Sequence, residues 1–381
     1  MTIIQSIGDL RTLAKRRIPK AIFDYADGGS YGERTLRRNA ADLDDISFRQ
    51  RVMVDVSDVS LATTLLGAPV SMPLAIAPTG LAGFFHADGE ILGARAAAAF
   101  GIPFCLSTMS ICSIEDVRAA TNQPFWFQQY LMRDRAFNQE LIDRARAAQC
   151  SALVLTLDLQ VLGQRWRDKP NGLSIPPRLT LRNAFDLATK PVWARGVLFG
   201  KRRTFGNLAG RIGGLNKIGS LAEWTATQFD ASANWRDVDW VRGRWPGKLI
   251  LKGVLDAEDA RLAVTAGADA IVVSNHGGRQ LDGAPSTISV LSEIAAAVDG
   301  RCEVLFDGGI RSGQDIAKAL ALGARGALIG KSFLYALAAG GQAGVTRALE
   351  ILRDELRVTL SLTGTTRVSD AGPHILRSRD R

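Results

Sequence analysis

Lys248 to Asn275 reads KLILKGVLDAEDARLAVTAGADAIVVSN. Two apolar, β-branched runs, KLILKGV (248–254) and AIVVSN (270–275), flank an alanine-rich amphipathic stretch that an aspartate opens and a glycine closes. Short apolar runs bounded by turn residues read as buried strands. An Asp start and a Gly stop read as a helix between them. A strand, a crossover helix and a second strand in so short a span make a parallel βαβ unit.

The unit recurs on both sides. Apolar runs ending in polar or glycine residues stand at LAIAPTG (74–80), PFCLST (103–108), FWFQQYL (125–131), ALVLTLD (152–158), EVLFDGG (303–309) and GALIGK (326–331). Helical patterns such as DGEILGARAAAAF, SIEDVRAA, DRAFNQELIDRARAAQ, STISVLSEIAAAV and SGQDIAKALALG lie between them. Eight such units in a row predict an α/β fold, a parallel sheet closed into a (β/α)8 TIM barrel. An open doubly wound sheet would want a GxGxxG turn after the first strand, and none is there. The chain reads as a single domain. Residues 1–70 form an N-terminal helical segment, 71–364 the barrel with C-terminal helices, and 365–381 a tail.

Charge is unevenly placed. The net charge is +9, yet residues 165–217 alone hold twelve Lys or Arg against two acids, Asp168 and Asp186. The chain is a near-neutral body with one basic insert after the fourth strand. That pattern argues against nucleic-acid binding and for a local anionic partner. Trp193, Val197, Leu198 and Phe199 precede Lys201-Arg202-Arg203 there, the combination a membrane-surface contact needs. A solvated loop is the alternative reading of the same residues. No cleavable signal and no apolar run of about 18 residues occurs, so no transmembrane helix is expected. Cys105, Cys112, Cys150 and Cys302 lack CxxC spacing and read as reduced thiols.

In a barrel the C-terminal strand ends meet at one face. They deliver Thr79-Gly80; Ser107-Thr108; Gln128 and Tyr130; Thr156 and Asp158; Lys252; Ser274, Asn275, His276 and Arg279; Asp307-Gly308-Gly309 and Arg311; and Gly330-Lys331. Asp158 and Lys252 inside apolar runs should share a polar cavity, because a buried charge without a partner is expensive. The glycines and cations of DGGIR and GK predict a phosphate site on strands 7 and 8. His276, one of three histidines, sits in SNHGGRQLDG (274–283). Alone it would read as a satisfied loop histidine. From the residues themselves, a phosphate-binding isomerase or lyase also remains open.

SNHGGRQLDG, together with LSTMS, WFQQY, LTLD…GQR, LKGV, DGGIR and LIGK in order, resembles the FMN-dependent L-2-hydroxy-acid dehydrogenases and oxidases. DGGSYGERTLRRN, GIPFCLSTMSICSIEDV and FLYALAAGGQAGV are most similar to the membrane-associated bacterial branch that oxidises L-lactate. The resemblance implies FMN as cofactor and oxidation of a small 2-hydroxy acid, L-lactate to pyruvate first, with mandelate or glycolate types and a peroxide-forming oxidase as alternatives. It assigns no metal. His276 would be the base, Asp158 its orienting carboxylate, Tyr130 the partner of the substrate hydroxyl and Lys252 the charge beside the flavin N1/C2 edge. Arg165, Arg279 and Tyr25 would bind the substrate carboxylate, and Met109 and Leu162 would flank its side chain. Pro78, Thr79, Gly80, Ser107, Gln128, Thr156, Lys252 and Ser274 would contact the ring system or ribityl. Asp307, Gly308, Gly309, Arg311, Gly330 and Lys331 would hold the ribityl and phosphate end. A quinone or other non-oxygen acceptor, a homotetramer, and peripheral attachment to the cytoplasmic face of the inner membrane through residues 165–217 are also implied.

Three positions depart from the family pattern. Gln160 stands where proline is common, Lys331 where arginine is commoner, and Gly80 where many oxidases carry alanine.

Overall fold

A computed structural model describes residues 3–168, 170–171, 181–208 and 228–377. A short antiparallel hairpin, β1 (Thr63–Leu65) and β2 (Ala68–Val70), precedes eight parallel strands. These are β3 (Leu74–Ile76), β4 (Cys105–Ser107), β5 (Trp126–Tyr130), β6 (Ala152–Thr156), β7 (Lys248–Val254), β8 (Ala270–Val273), β9 (Glu303–Phe306) and β10 (Gly326–Ile329). They hydrogen-bond in the order β3-β10-β9-β8-β7-β6-β5-β4. The two end strands meet through a parallel bridge, Ile76 to Phe104, with Ile76 N–H donating to Pro103 O at 2.9 Å. The sheet is thus a nearly closed (β/α)8 barrel, and all eight apolar runs read from the sequence are its strands.

Helices surround the sheet where the amphipathic patterns predict them. Ser113, Asp134, Asp256 and Ser312 each accept a backbone N–H of the helix they open. Two expected caps do other work. Asp88 accepts from Arg202 and Ser286 Oγ donates to Asp42, and neither side chain caps its own helix. The closing helix Lys331–Leu362 breaks at Gly340-Gly341, as the glycine turn in its sequence implies.

Alternation along the strands determines what enters the barrel. Ala75, Cys105, Trp126, Ala152, Val154, Ile250, Ala270, Val272, Leu305 and Leu328 form one buried cluster inside it, with Leu65 and Val70 of the hairpin. Continuing each series by two residues reaches Ser107, Gln128, Thr156, Lys252, Ser274, Asp307 and Gly330. The face that packs the interior therefore turns polar at the C-terminal mouth. Thr156 pairs in register with Lys252, and Tyr130 with Thr156, so these residues share one level of the barrel.

The N-terminal segment forms helices Ile7–Arg17, Lys20–Asp27 and Arg34–Asp44. The stretch read as a tail is pinned across that segment as far as Arg377. Val368 N–H donates to Ser60 O (3.0 Å) and Arg377 N–H to Ser47 O (2.9 Å); residues 378–381 lie outside the described part. No helix among the described residues is long and apolar enough to cross a membrane. All four cysteines are free thiols.

Candidate active site

At the mouth of the barrel, His276 Nδ1 lies 3.0 Å from Asp158 Oδ1. The histidine follows β8 with a left-handed φ of 56°, and its backbone N–H donates to Ser274 Oγ at 3.1 Å. Such a conformation in a non-glycine residue persists when its surroundings enforce it. Burial pushes the Asp158 carboxyl up, but His276 and then Lys252 outweigh it and hold it below the usual carboxylate range. The carboxylate therefore stays ionised beside the ring. The contact occupies Nδ1 and leaves Nε2 for other chemistry.

Lys252 is 4% exposed, and its ammonium donates to Ser274 Oγ (2.8 Å) and pairs with Asp307 Oδ2 (3.1 Å). Burial pulls its pKa down, yet Asp307 and Asp158 more than reverse this, so it remains a cation. Asp158 and Lys252 lie close enough to favour each other's charge, but Lys252 lines the cavity and Asp158 does not. Ser107 Oγ donates to Gln128 Oε1 (2.9 Å) and accepts from the Met109 N–H (3.1 Å). Ser107, Gln128, Thr156 and Ser274 are all buried.

Two guanidinium groups converge on one ring. Arg165 Cζ is 5.0 Å and Arg279 Cζ 4.7 Å from the centroid of Tyr25. Arg279 also donates to the Tyr25 carbonyl, and Arg165 Nε to Asp168 Oδ2 at 2.8 Å. Burial and then Arg165 lower the pKa of Arg279. Burial opposes the charge of Arg165 too, but Tyr25 and Asp168 restore it. A pair of like charges on a π face is a site for an anion, and a planar carboxylate suits guanidinium forks. Tyr130 is buried, its phenol pKa pushed up by burial and by Asp158, and Phe229 packs edge-on against it at 5.3 Å.

His276, Lys252, Tyr130 and the two arginines open on a cavity of about 1300 Å³, while Asp158, Ser107, Gln128, Thr156 and Ser274 are not part of its lining. Tyr25, Pro78, Thr79, Gly80, Met109, Tyr130, Leu162, Arg165, Lys252, His276, Arg279, Asp307, Gly308, Gly309, Arg311, Gly330 and Lys331 line it. At its far end, Gly308 and Gly309 have φ of 99° and 98°. A side chain at Gly309 would lie 2.5 Å from Asn39 O, so the turn needs glycine there. Lys331 spends its N–H groups on the carbonyls of Ala26 (2.7 Å), Asp27 (3.1 Å) and Gly28 (2.8 Å), closing the helix Lys20–Asp27. Burial, with Arg279 adding to it, drops its pKa well below the usual lysine value. Arg311 pairs with Asp44 at 2.6 Å. Both side chains line the cavity, Lys331 with three backbone carbonyls and Arg311 with Asp44 as acceptors already at hand.

The described parts of the basic insert fold onto the barrel. Trp193 Nε1 donates to Phe84 O (2.7 Å), and Arg202 pairs with Asp88 (2.7 Å) and Asp116 (2.8 Å). Of the apolar residues singled out, Trp193 and Val197 turn inward on one face of the helix Pro191–Leu198, while Phe199 is exposed. Their spacing of four puts Trp193 and Val197 on one stripe. Phe185 and Val192 join Phe199 at the surface. Residues 172–180 and 209–217, and the side chain of Leu198, lie outside the described part.

Some participants carry no obvious signal in the sequence. Asn39 and Asn275 exchange amide hydrogen bonds at 2.9 and 2.7 Å, tying the N-terminal segment to the loop of His276. Gln280 Nε2 donates to Asp158 O (2.7 Å) and Val161 O (2.9 Å), bracing the loop that carries Arg165. Gln280 lies inside SNHGGRQLDG and could have been singled out there; Asn39 and Phe229 could not.

A family model described as FMN-dependent dehydrogenase matches residues 14–378. An L-lactate dehydrogenase of Caulobacter vibrioides (strain NA1000 / CB15N) is 49% identical over 378 residues, covering 99% of this chain and 98% of that one. A crystal structure of the monotopic membrane protein (S)-mandelate dehydrogenase superposes with a TM-score of 0.93 at 38% identity, covering 99% of this chain and 100% of that one. A mandelate oxidase structure superposes with a TM-score of 0.84 at 38% identity, covering 99% of both chains. The family match over nearly the whole chain and the end-to-end similarity to these relatives lead to one conclusion: the chain belongs to the FMN-dependent dehydrogenase family.

Proposed function

We propose that this enzyme oxidises a small L-2-hydroxy acid, L-lactate before others, to the 2-oxo acid, and passes the electrons to a membrane quinone. The observation that carries the reading is the arginine pair on Tyr25 lining the same cavity as His276, which Asp158 contacts from behind the lining. One group is suited to a carboxylate and the other to a proton, the two ends of a 2-hydroxy acid.

The residues fit FMN. Asp307 Oδ1 and Gln128 Nε2 are buried without a hydrogen-bond partner, one an acceptor for ribityl hydroxyls and the other a donor for a ring carbonyl. The Gly308-Gly309 turn leaves backbone N–H groups for a phosphate at the far end, where Arg311 and Lys331 supply charge. The cavity also exceeds the roughly 300–1,000 Å³ of an ordinary small-molecule site, leaving room for cofactor and substrate together. Thr79, Gly80, Ser107, Thr156, Ser274 and Gly330 complete the holding set.

Bound FMN supplies the two-electron acceptor for the substrate's α-carbon. The chain does the rest. Arg165 and Arg279 hold the carboxylate bidentately and so aim the α-carbon. His276 Nε2 takes a proton from the substrate, and Asp158 stabilises the imidazolium that forms. Tyr130, kept protonated by burial, donates to the hydroxyl oxygen as it becomes a carbonyl. Lys252, buried and kept cationic by Asp307 and Asp158, would supply positive charge to bound FMN.

Met109 and Leu162 would flank the substrate side chain and leave room for a methyl group. A second reading, an aryl substrate, has support in the mandelate dehydrogenase likeness and in the adaptability of methionine. Exposed Phe185, Val192 and Phe199 on a basic insert support peripheral attachment to an anionic membrane, on its cytoplasmic face. A homotetramer is part of the same reading.

One experiment separates these outcomes. Holoenzyme is mixed anaerobically with L-lactate, glycolate, L-mandelate and longer 2-hydroxy acids, and loss of flavin absorbance is followed; oxygen or a quinone is then admitted. Fastest bleaching by L-lactate and fast reoxidation by quinone agree with the proposal. Peroxide stoichiometric with substrate in air would make the enzyme an oxidase.

A further inference from the structure

Glu90 is 1% exposed and takes no part in the chemistry above. It lies in the first turn of the helix Gly89–Phe100, and its carboxylate accepts from three backbone N–H groups and meets the Cys112 thiol. Oε1 accepts the N–H of Gly83 (3.0 Å) and of Ile111 (2.9 Å), and Oε2 that of Cys112 (3.4 Å). Gly83 sits in the short helix Ala82–Phe85 of the connection after β3, Ile111 and Cys112 in the loop after β4. One buried carboxylate therefore grips the connections after β3 and β4 at the barrel mouth, where among the described residues a single bridge, Ile76 to Phe104, joins their strands.

The two loops also meet on the cavity side. Leu81 N–H donates to Met109 O (2.9 Å), and Leu81 holds a left-handed φ of 64°. A side chain at Gly83 would lie 2.6 Å from Ile111 Cβ, and one at Gly80 3.2 Å from Met109 Cβ. A strained turn and so close an approach persist only when the surroundings over-determine them. The grip of Glu90 is the polar part of that constraint, two residues from Leu81 on one side and two from Met109 on the other.

We propose that Glu90 is a positioning residue: by clamping the two loops it sets the distance between Gly80 and Met109, and with it the size of side chain the site accepts. The inference rests on Met109 flanking the substrate side chain. Loosening the Ile111–Cys112 backbone lets Met109 draw back from Gly80 and widens the pocket by a fraction of an ångström. A misfit of one methylene discriminates substrates by roughly 10–200-fold, so a small shift is measurable.

Glu90→Gln keeps the volume and turns one acceptor into a donor facing a backbone N–H. In holoenzyme, anaerobic flavin bleaching gives kcat/KM for L-lactate and for L-2-hydroxyoctanoate. Thermal shift with excess pyruvate or 2-oxooctanoate gives their dissociation constants without turnover. The lactate-to-hydroxyoctanoate ratio should fall about tenfold, mostly through KM, with the oxo-acid constants moving in parallel and FMN content unchanged. A residue that only stabilises the fold would lower Tm and leave the ratio where it is, which overturns the proposal. Should Glu90→Gln not fold, Ile111→Ala loosens the contact with Gly83 without touching the carboxylate and must move the ratio the same way; an unchanged ratio there overturns it equally. Failure of the underlying function would look different, since no 2-hydroxy acid would then bleach the wild-type flavin.

Discussion

Asp158→Asn probes the His276–Asp158 couple with the least steric change. Asp158 is largely buried, 3.0 Å from the ring, and held ionised by His276 and Lys252. At a charge separation of about 4 Å and an effective dielectric of about 20, attraction between imidazolium and carboxylate is about 4 kcal/mol. An asparagine keeps a neutral hydrogen bond worth about 1 kcal/mol. The difference of about 3 kcal/mol acts only once His276 is protonated, so it falls on the barrier and not on substrate binding. It corresponds to a loss of about a hundredfold in kcat, with KM within about threefold of wild type. Stopped-flow bleaching at saturating L-lactate measures the first, and its concentration dependence the second. A variant that bleaches within threefold of the wild-type rate, with FMN bound, would refute the idea that this carboxylate stabilises the protonated base.

Tyr25 should act mainly through its ring. Two cation–π contacts of about 0.5–2 kcal/mol each predict that Tyr25→Leu raises KM for L-lactate about tenfold or more, while Tyr25→Phe stays within a few fold; equal effects in steady-state kinetics would show that the hydroxyl matters instead. Lys252 has a folded-state pKa above its ordinary 10.5, so the stability it contributes is fully present below that value and is lost as pH rises through the raised one. Thermal melts should therefore show an alkaline decline that Lys252→Met flattens, although the variant is less stable throughout because Asp307 loses its partner; an identical slope would remove Lys252 as the source. Replacing Phe185, Val192 and Phe199 by serine, or Arg195 and Lys201 by glutamine, should weaken sedimentation with anionic vesicles, by about 1 kcal/mol per basic residue and in a salt-dependent way; unchanged binding would place the membrane contact elsewhere.

Most of the barrel was legible because its information is local. Each strand is a short apolar run with turn residues after it, and each interior series, such as Ala152, Val154 and Thr156, continues to its polar end at a period of two. That periodicity carried Ser107, Gln128, Lys252, Ser274 and Asp307 to the mouth. Pairings across long sequence separations were not legible. Nothing near Arg311 announces Asp44, and nothing near Lys331 announces the carbonyls of Ala26 to Gly28. The insert illustrates the same limit. Its composition left a membrane-surface contact and a solvated loop both open, and only the fold of the helix Pro191–Leu198 decides that Trp193 faces Phe84 while Phe199 faces water. Asp88 and Ser286 look like helix caps locally and are taken by Arg202 and Asp42 instead.

The central claim is that residues at the strand ends, led by His276, carry the oxidation of a 2-hydroxy acid. A single anaerobic turnover of FMN-loaded enzyme tests it most directly, with wild type and His276→Ala compared at saturating L-lactate. Wild type should lose its flavin absorbance and release one pyruvate per flavin. The variant should hold FMN with an unchanged oxidised spectrum and bleach at least a thousandfold more slowly, as loss of an essential base by roughly this order requires. Pyruvate formed at a wild-type rate by His276→Ala, or no bleaching of the wild type by any L-2-hydroxy acid, would contradict it.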